Sequence, residues 1–335
     1  MIVNHLQTSN RMIITKTPYR ISLFGGGTDY PSWYMKNTGA VLSLTIDKYS
    51  YISLRELPPF FEHKFRIVYS KNELVSNITE IQHPAVREAF RKFAPQLNLE
   101  LLHHGDLPAR SGIGSSSAFS VGLIKSLFTL NEMQITPKEL AETSIEFEQK
   151  VLKENVGSQD QVACSFGGVN YIEFGPGPYW VVNPINLSHK QIEEIEERIV
   201  LVFTGINRFS SDVSKTLLEK LESKSDFMKR NMDLAKECRS IFMEARNLNL
   251  IGKMLNEAWQ LKQRINPKSV TPELERIYNK GIASGAEGGK ILGAGGGGFF
   301  LFWVNPERRV PFIIEMHDFT VVPIKISSLG STIIQ

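Results

Sequence analysis

The chain has 335 residues, enough for one large domain or two of ordinary size. Hydrophobic residues make up 42% and charged residues 22%, with a net charge of +3 and no block of Lys and Arg. That composition belongs to a soluble globular protein and argues against a nucleic-acid partner, which needs a concentrated basic face.

Residues 1–11 (MIVNHLQTSNR) lack the apolar run of a signal peptide, and no segment approaches the ~18 apolar residues of a bilayer span. The expectation is a cytoplasmic protein with no membrane partner, in which the sequons at Asn77 and Asn186 are chance matches. Residues 12–24 (MIITKTPYRISLF) predict a strand, a Pro-containing bend and a second strand, and GGGTDYPSWY (25–34) a loop. AVLSLTIDKYSYISLREL (40–57) predicts one or two strands. Residues 84–93 read as a helix and LELLHH (99–104) as a strand, with His103 and His104 structural or at the surface.

DLPARSGIGSSSAFSVGLI (106–124) follows, with glycines and three serines directly ahead of an apolar helix. Ala118, Val121, Ile124 and Phe128 keep the helical spacing. Glycines let backbone close around a ligand, a helix N-terminus offers unpaired N–H groups, and serine hydroxyls can bond phosphate or Mg2+. The loop therefore reads as a phosphate cradle.

A second helix opens at Thr136, with Pro137 at N1 and Glu139 completing a capping box, and extends to about Lys153. On it Ala141, Ile145, Glu148 and Leu152 form one row. Glu148 is thus a carboxylate facing the interior and needing a partner, whereas Glu142, Glu146 and Lys153 are solvated. VGSQDQVACSFGGVNYIEF (156–174) reads as a loop leading into a strand. The Pro/Gly-rich GPGPYWVVNP (175–184) precedes a charged helical stretch, HKQIEEIEERI, which places a domain boundary near it and divides the chain into 12–187 and 188–335. IVLVFTG (199–205) is a buried strand, long polar helices span about 210–263, and residues 273–304 read as helix, Gly loop and strand. FTVVPIKI (319–326) is a last strand. Strands and helices mix in two halves, so the fold class is α+β.

The cysteines, Cys164 and Cys238, stand far apart with neither CxxC nor HExxH in the chain, which predicts reduced thiols and no zinc site. Gly289-Lys290-Ile291 lacks the hydroxyl and first glycine of a Walker A loop. GAGGGG (293–298) fits GxGxxG formally, but the strand FFLFWV follows where a dinucleotide site requires a helix.

Three glycine-rich loops remain: PYRISLFGGGTDY (18–30), PARSGIGSSSA (108–118) and LGAGGGGF (292–299). In that order and with those separations they resemble the GHMP kinases, the family of galactokinase, homoserine kinase, mevalonate kinase and phosphomevalonate kinase. Within it, FGGGTDYPSWY, GAVLSLTIDKYSY and VGSQDQ are similar to the D-glycero-D-manno-heptose 7-phosphate kinases. The resemblance implies an N-terminal domain of the ribosomal-protein-S5 type, a ferredoxin-like C-terminal domain and an active site between them. It implies ATP and Mg2+ as cofactors, a small sugar phosphate as partner, and transfer to the anomeric C1 hydroxyl in a route to nucleotide-activated heptose and surface polysaccharide. A homodimer is suggested by the resemblance only. A kinase for an unphosphorylated sugar of the galactose or fucose type, and an inactive sugar or ATP sensor of the same fold, are the alternatives.

The same resemblance assigns roles. Asp160, flanked by Gly157 and Gln161, matches the catalytic carboxylate, and Arg20 the basic residue beside the transferring phosphoryl group. Gly26, Gly27, Thr28 and Asp29 fall at the sugar end of the first loop. Arg110, Ser111, Gly112, Ile113, Gly114, Ser115, Ser116 and Ser117 form the ATP-phosphate loop, with Ser116 the Mg2+ serine and slippage to Ser115 or Ser117 open. Glu148 is the second metal ligand, and Gly295, Gly296 and Gly297 support the second loop. For a substrate phosphate, Lys16, Lys48 and Arg110 are candidates by position.

Overall fold

The computed structural model describes residues 11–206, 225–244, 247–265, 267 and 270–335. The first half is built on β1 (Ile13–Phe24) and the 18-residue β2 (Gly39–Glu56), joined through a short helix α1 (Pro31–Tyr34). β1 is one strand and not two. Pro18 is accommodated at a register shift between Pro18 and Arg20, the kind of irregularity where a strand tolerates a missing N–H. β3 (Phe65–Val68), β4 (Asn72–Val75), α2 (Pro84–Phe93) and β5 (Leu99–Gly105) follow. The short β3 and β4 have too few residues to show a period. β2 pairs with β1 along one edge. Its other edge takes β5 at residues 50–56 and β6 (Val169–Phe174) at residues 39–44. β7 (Trp180–Pro184) pairs with β6.

α3 (Ser115–Leu130) lies on β1 and β2. It is apolar nearly all round because sheet covers one side and other helices the rest, so it carries little amphipathic signal. α4 (Pro137–Glu146) starts at the expected capping box, with the Thr136 hydroxyl accepting from Glu139 N at 3.3 Å and Glu139 Oε2 accepting from Thr136 N at 2.9 Å. It runs on into a π-turn, Phe147–Val151, which carries Glu148 with no exposure at all. Glu142, Glu146 and Lys153 are exposed.

VGSQDQVACSF is not simply a loop. Residues Gln159–Phe166 form α5, closed by Gly167 at φ 72°. Eight residues beginning Gln-Asp-Gln are too short and too polar at the start to show helical periodicity.

The second half begins with α6 (His189–Arg198) and β8 (Ile199–Phe203). Of the helical stretch expected over about 210–263, residues up to 224 lie outside the described residues. α7 (Ser225–Met243) and α8 (Asn249–Ile265) cover the rest. α9 (Pro272–Ala283), β9 (Ala286–Ile291), β10 (Phe299–Val304), α10 (Pro306–Glu315) and β11 (Thr320–Val322) complete it. The sheet order is β11-β8-β10-β9, all antiparallel, which is the ferredoxin-like arrangement. Alternation in β8 and β10 sends Val200, Val202, Phe300 and Phe302 into one cluster and Ile199, Leu201, Phe299 and Leu301 into another. Both faces are covered, so FFLFWV is apolar throughout.

Two expectations need correction here. AEGGKI is a strand, which its glycines conceal. A Cβ on Gly288 would stand 1.8 Å from Gly252 O, so glycine lets α8 lie directly against β9. The expected last strand is shortened to β11, and the chain end crosses back. Ile326 bridges Ile46, and β12 (Thr332–Ile333) pairs with β1. Residues 326–335 therefore lie with the first sheet, although a division at 187/188 assigns them to the second half.

Candidate active site

All three glycine loops reach one cavity of about 220 Å3 between the two halves. The third loop braces the second by backbone contact. A Cβ on Gly112 would fall 2.6 Å from Leu292 O, and Phe299 N donates to Ser111 O at 3.2 Å.

Arg20 and Ser22 face the cavity from β1, while Tyr19, Ile21 and Leu23 point into the core. Asp160 stands in the first turn of α5, where the helix dipole favours a carboxylate. The two meet as a bidentate pair. Arg20 Nε donates to Asp160 Oδ1 at 2.7 Å and Nη2 to Oδ2 at 2.8 Å. Arg20 Nη1 donates to Gly112 O at 2.7 Å, and Arg20 N to Ile113 O at 3.0 Å, so this one residue joins β1, the second loop and α5. The Arg20 side chain is 5% exposed and that of Asp160 is 23% exposed, which leaves the carboxylate open to the cavity.

In the first loop, Gly26, Gly27 and Asp29 line the cavity. Thr28 does not. Its buried hydroxyl donates to Gly25 O at 2.8 Å and accepts from Ala40 N at 3.1 Å, which fastens the loop to β2. Asp29 is 1% exposed. Its Oδ1 accepts from Gly27 N at 2.8 Å and its Oδ2 from Gln159 N at 3.3 Å. Burial, and then the charge of Asp160, pushes its carboxyl up to about 6. A Cβ on Gly157 would stand 1.9 Å from Asp29 Oδ2, so glycine is required for this approach.

In the second loop, Gly114 is the left-handed N-cap of α3, and Arg110, Gly112, Gly114 and Ser115–Ser117 line the cavity. Ser111 and Ile113 are fully buried and do not line it. Ser115 Oγ accepts from Arg110 N at 3.0 Å. The hydroxyls beside Glu148 are those of Ser117 and Ser120 and not that of Ser116, which is exposed: Ser117 Oγ donates to Glu148 Oε2 at 2.9 Å, and the Ser120 hydroxyl is also close enough to lower the carboxyl. Gln161 Nε2 donates to the same oxygen. Glu148 Oε1 is buried and has no partner. Burial pushes this carboxyl up to about 7, against the lowering effect of its hydrogen bonds. Among the described residues no three His, Cys, Asp or Glu side chains cluster to hold a metal. In the third loop Gly295 and Gly297 line the cavity and Gly296 does not.

Lys16 and Lys48 lie elsewhere. Lys16 Nζ sits 4.0 Å from the Tyr49 ring centroid, and Lys48 pairs with Asp47 at 3.0 Å. His103 packs against Phe119 and bonds the Ser50 hydroxyl at 3.0 Å, while His104 is exposed. Both cysteines are free and buried.

Sequence reasoning misses three polar cavity residues from the second half. Asn231 of α7 clamps the first loop, donating from Nδ2 to Gly26 O at 2.8 Å and accepting from Gly25 N at 3.3 Å. Lys262 of α8 and Lys290 of β9 also reach the cavity. Lys290 carries a faint signal, as a lysine inside a glycine and apolar run. Lys262 and Asn231 sit in polar helical sequence that carries none.

The N-terminal model of the GHMP kinases matches residues 77–168, and the C-terminal model residues 234–320. The D-glycero-alpha-D-manno-heptose 7-phosphate kinase of Campylobacter jejuni is 30% identical over 318 residues, covering 90% of this chain and 92% of its own. The galactokinase of Pyrococcus furiosus is 24% identical, covering 88% and 90%. The crystal structure of a D-glycero-D-manno-heptose 1-phosphate kinase from Bacteroides thetaiotaomicron superposes with a TM-score of 0.79 at 22% identity, covering 96% and 99%. Galactokinase of Lactococcus lactis, complexed with galactose, superposes at 0.73 and 19% identity, covering 96% and 95%. No described helix is long and apolar enough to cross a membrane. With three glycine loops on one cavity, an arginine–aspartate pair at its centre and both family domains present in order, the chain belongs to the GHMP kinases and is a phosphotransferase with an alcohol group as acceptor.

Proposed function

We propose that the protein transfers the γ-phosphoryl group of ATP to the anomeric C1 hydroxyl of D-glycero-D-manno-heptose 7-phosphate, giving the 1,7-bisphosphate. The observation that carries a kinase site is the Arg20–Asp160 pair, open to the cavity beside the N-terminus of α3. The choice of acceptor is supported by the heptose kinase relative.

Backbone N–H groups of residues 112–117 and the α3 dipole hold the ATP phosphates. The acceptor hydroxyl lies against Asp160, which takes its proton as the oxygen attacks the γ-phosphorus in line. The bond from γ-phosphorus to the bridging oxygen breaks and ADP leaves. Arg20 stays charged throughout, orients the Asp160 carboxylate and meets the transferring phosphoryl group. Gly26, Gly27 and Asp29 border the acceptor, with Asp29 holding the loop through its two backbone bonds.

Mg2+ fits the donor set at Glu148, whose Oε1 is buried without a partner and whose Oε2 touches a serine hydroxyl. Glu148 and Ser117, with Ser116 adjoining, would hold it. Bound there, it would neutralise charge on the ATP phosphates.

The test is ADP release with Mg-ATP over both anomers of D-glycero-D-manno-heptose 7-phosphate, sedoheptulose 7-phosphate, mannose 6-phosphate, galactose and fucose. Turnover confined to the heptose phosphate is expected. Turnover on a neutral sugar alone would replace the acceptor, and ATP binding without turnover on any sugar would favour a sensor.

A further inference from the structure

Lys262 and Lys290 are half-buried lysines that the phosphoryl-transfer chemistry above does not use. Close packing of α8 on β9 at Gly252 and Gly288 sets them side by side on the cavity wall. Lys290 Nζ donates to Leu23 O at 2.6 Å. Lys262 Nζ donates to Ile291 O at 3.2 Å and to Gly293 O. An ammonium has three donors, so Lys290 keeps two and Lys262 keeps one. Among the described residues neither lysine meets a carboxylate at ion-pair distance. The nearby carboxylate Asp160 is committed to Arg20, and Asp29 to backbone N–H groups.

Burial pulls Lys262 down to about 7 and Lys290 well below its ordinary value, and neighbouring positive charge lowers both further. Two lysines without carboxylate partners among the described residues, beside a guanidinium, form a site in which a bound anion would favour their charged forms. A second observation points the same way. Ser22 Oγ and Gln159 Oε1 are buried without partners on the same cavity, and a Cβ on Gly26 would lie 3.4 Å from Ser22 Oγ and 3.6 Å from Gln159 Nε2. Unused polar groups therefore gather at the root of the first glycine loop. The ATP phosphates have their own site at α3. Lys290 is tied to Leu23 O, at the end of β1 that leads into the acceptor loop, while Lys262 holds Gly293 O of the third loop.

We propose that Lys262 and Lys290, with the Ser22 hydroxyl, form an anion site that takes a phosphate monoester carried by the acceptor. This rests on the kinase reading above and gives its acceptor site a chemical class. It replaces Lys16 and Lys48 as the cationic partners of a substrate phosphate. The acceptor's hydroxyl then faces Asp160 while its phosphate is gripped by the second half of the chain, so acceptor binding also draws the two halves together.

The experiment compares wild type with Lys262→Met and Lys290→Met, using Mg-ATP with D-glycero-D-manno-heptose 7-phosphate and with the same heptose lacking the phosphate. Each variant is expected to raise KM for the phosphorylated acceptor by about 10- to 100-fold, the range for losing a hydrogen bond to a charged group. KM for ATP and for the unphosphorylated heptose should stay within about threefold, since neither engages the lysines. Inorganic phosphate should compete with the acceptor in wild type and lose that effect in the variants. A raised KM for ATP with an unchanged acceptor KM would assign the lysines to the nucleotide and overturn the proposal while leaving the heptose reading intact. Wild-type turnover of a different sugar phosphate, with the same loss in both variants, would remove the heptose reading and support the anion site. Turnover of neutral sugars only, without inhibition by phosphate, would overturn both.

Discussion

Replacing Asp160 by Asn tests the centre of the site, because it separates the chemistry of the carboxylate from its structural role. In the native protein both oxygens accept from Arg20, at 2.7 and 2.8 Å, and the guanidinium is 5% exposed. The amide keeps one acceptor oxygen, turns an NH2 group towards a cation and removes the countercharge. A hydrogen bond to a charged group contributes about 1.5–3 kcal/mol, so the fold should lose about 2 kcal/mol. Arg20 retains its bond to Gly112 O, and the protein should still fold, with a lower melting temperature. Turnover should fall much further. An amide cannot accept the acceptor's proton, and general-base assistance contributes about 10²- to 10⁴-fold. Coupled ADP release should therefore show kcat reduced by at least about 100-fold. KM for ATP should change little, as expected where the nucleotide phosphates rest on the α3 loop in the proposed arrangement. A folded Asn variant with kcat within about threefold of wild type would refute the role of Asp160 as proton acceptor.

Glu148→Gln should raise the Mg2+ concentration needed for half-maximal rate by at least about 10-fold, read from rate against free Mg2+ at fixed ATP; an unchanged requirement would remove Glu148 from the metal site. Gly157→Ala forces a methyl group into the space of Asp29 Oδ2. It should cost about 1–3 kcal/mol in stability and raise KM for the acceptor, as melting and steady-state kinetics would report; a neutral outcome would mean that Asp29 can move without consequence.

Much of this site was legible in the chain order of its residues. The helix after SGIGSSS, the capping box at Thr136 and the strand after GAGGGG follow from local chemistry: glycine freedom, side-chain capping and β-propensity act within a few residues. Spacing alone put Glu148 on the inner row of its helix, and its carboxylate is fully buried. Local rules failed where a partner distant in sequence decides the conformation. α5 is too short to display a period, yet it aims Asp160 at Arg20, 140 residues away. β9 reads as a glycine loop because its glycines answer to α8 and not to their neighbours. The serine that meets Glu148 was uncertain by one residue. A step of one along a helix turns the side chain by about 100°, and only packing against the π-turn selects Ser117 over Ser116.

The sequence by itself determined the family, the three glycine loops and the arginine and aspartate between them, because each rests on residue types in a fixed local order. Only the tertiary structure decided that Thr28 fastens a loop, that Asn231 clamps the first glycine loop, and that Lys262 and Lys290 face the cavity. The physical reason is that charge and polarity in a helix or strand say nothing about direction. Burial gives them their meaning, and burial here is set by α7, α8 and β9 of the second half closing over the loops of the first.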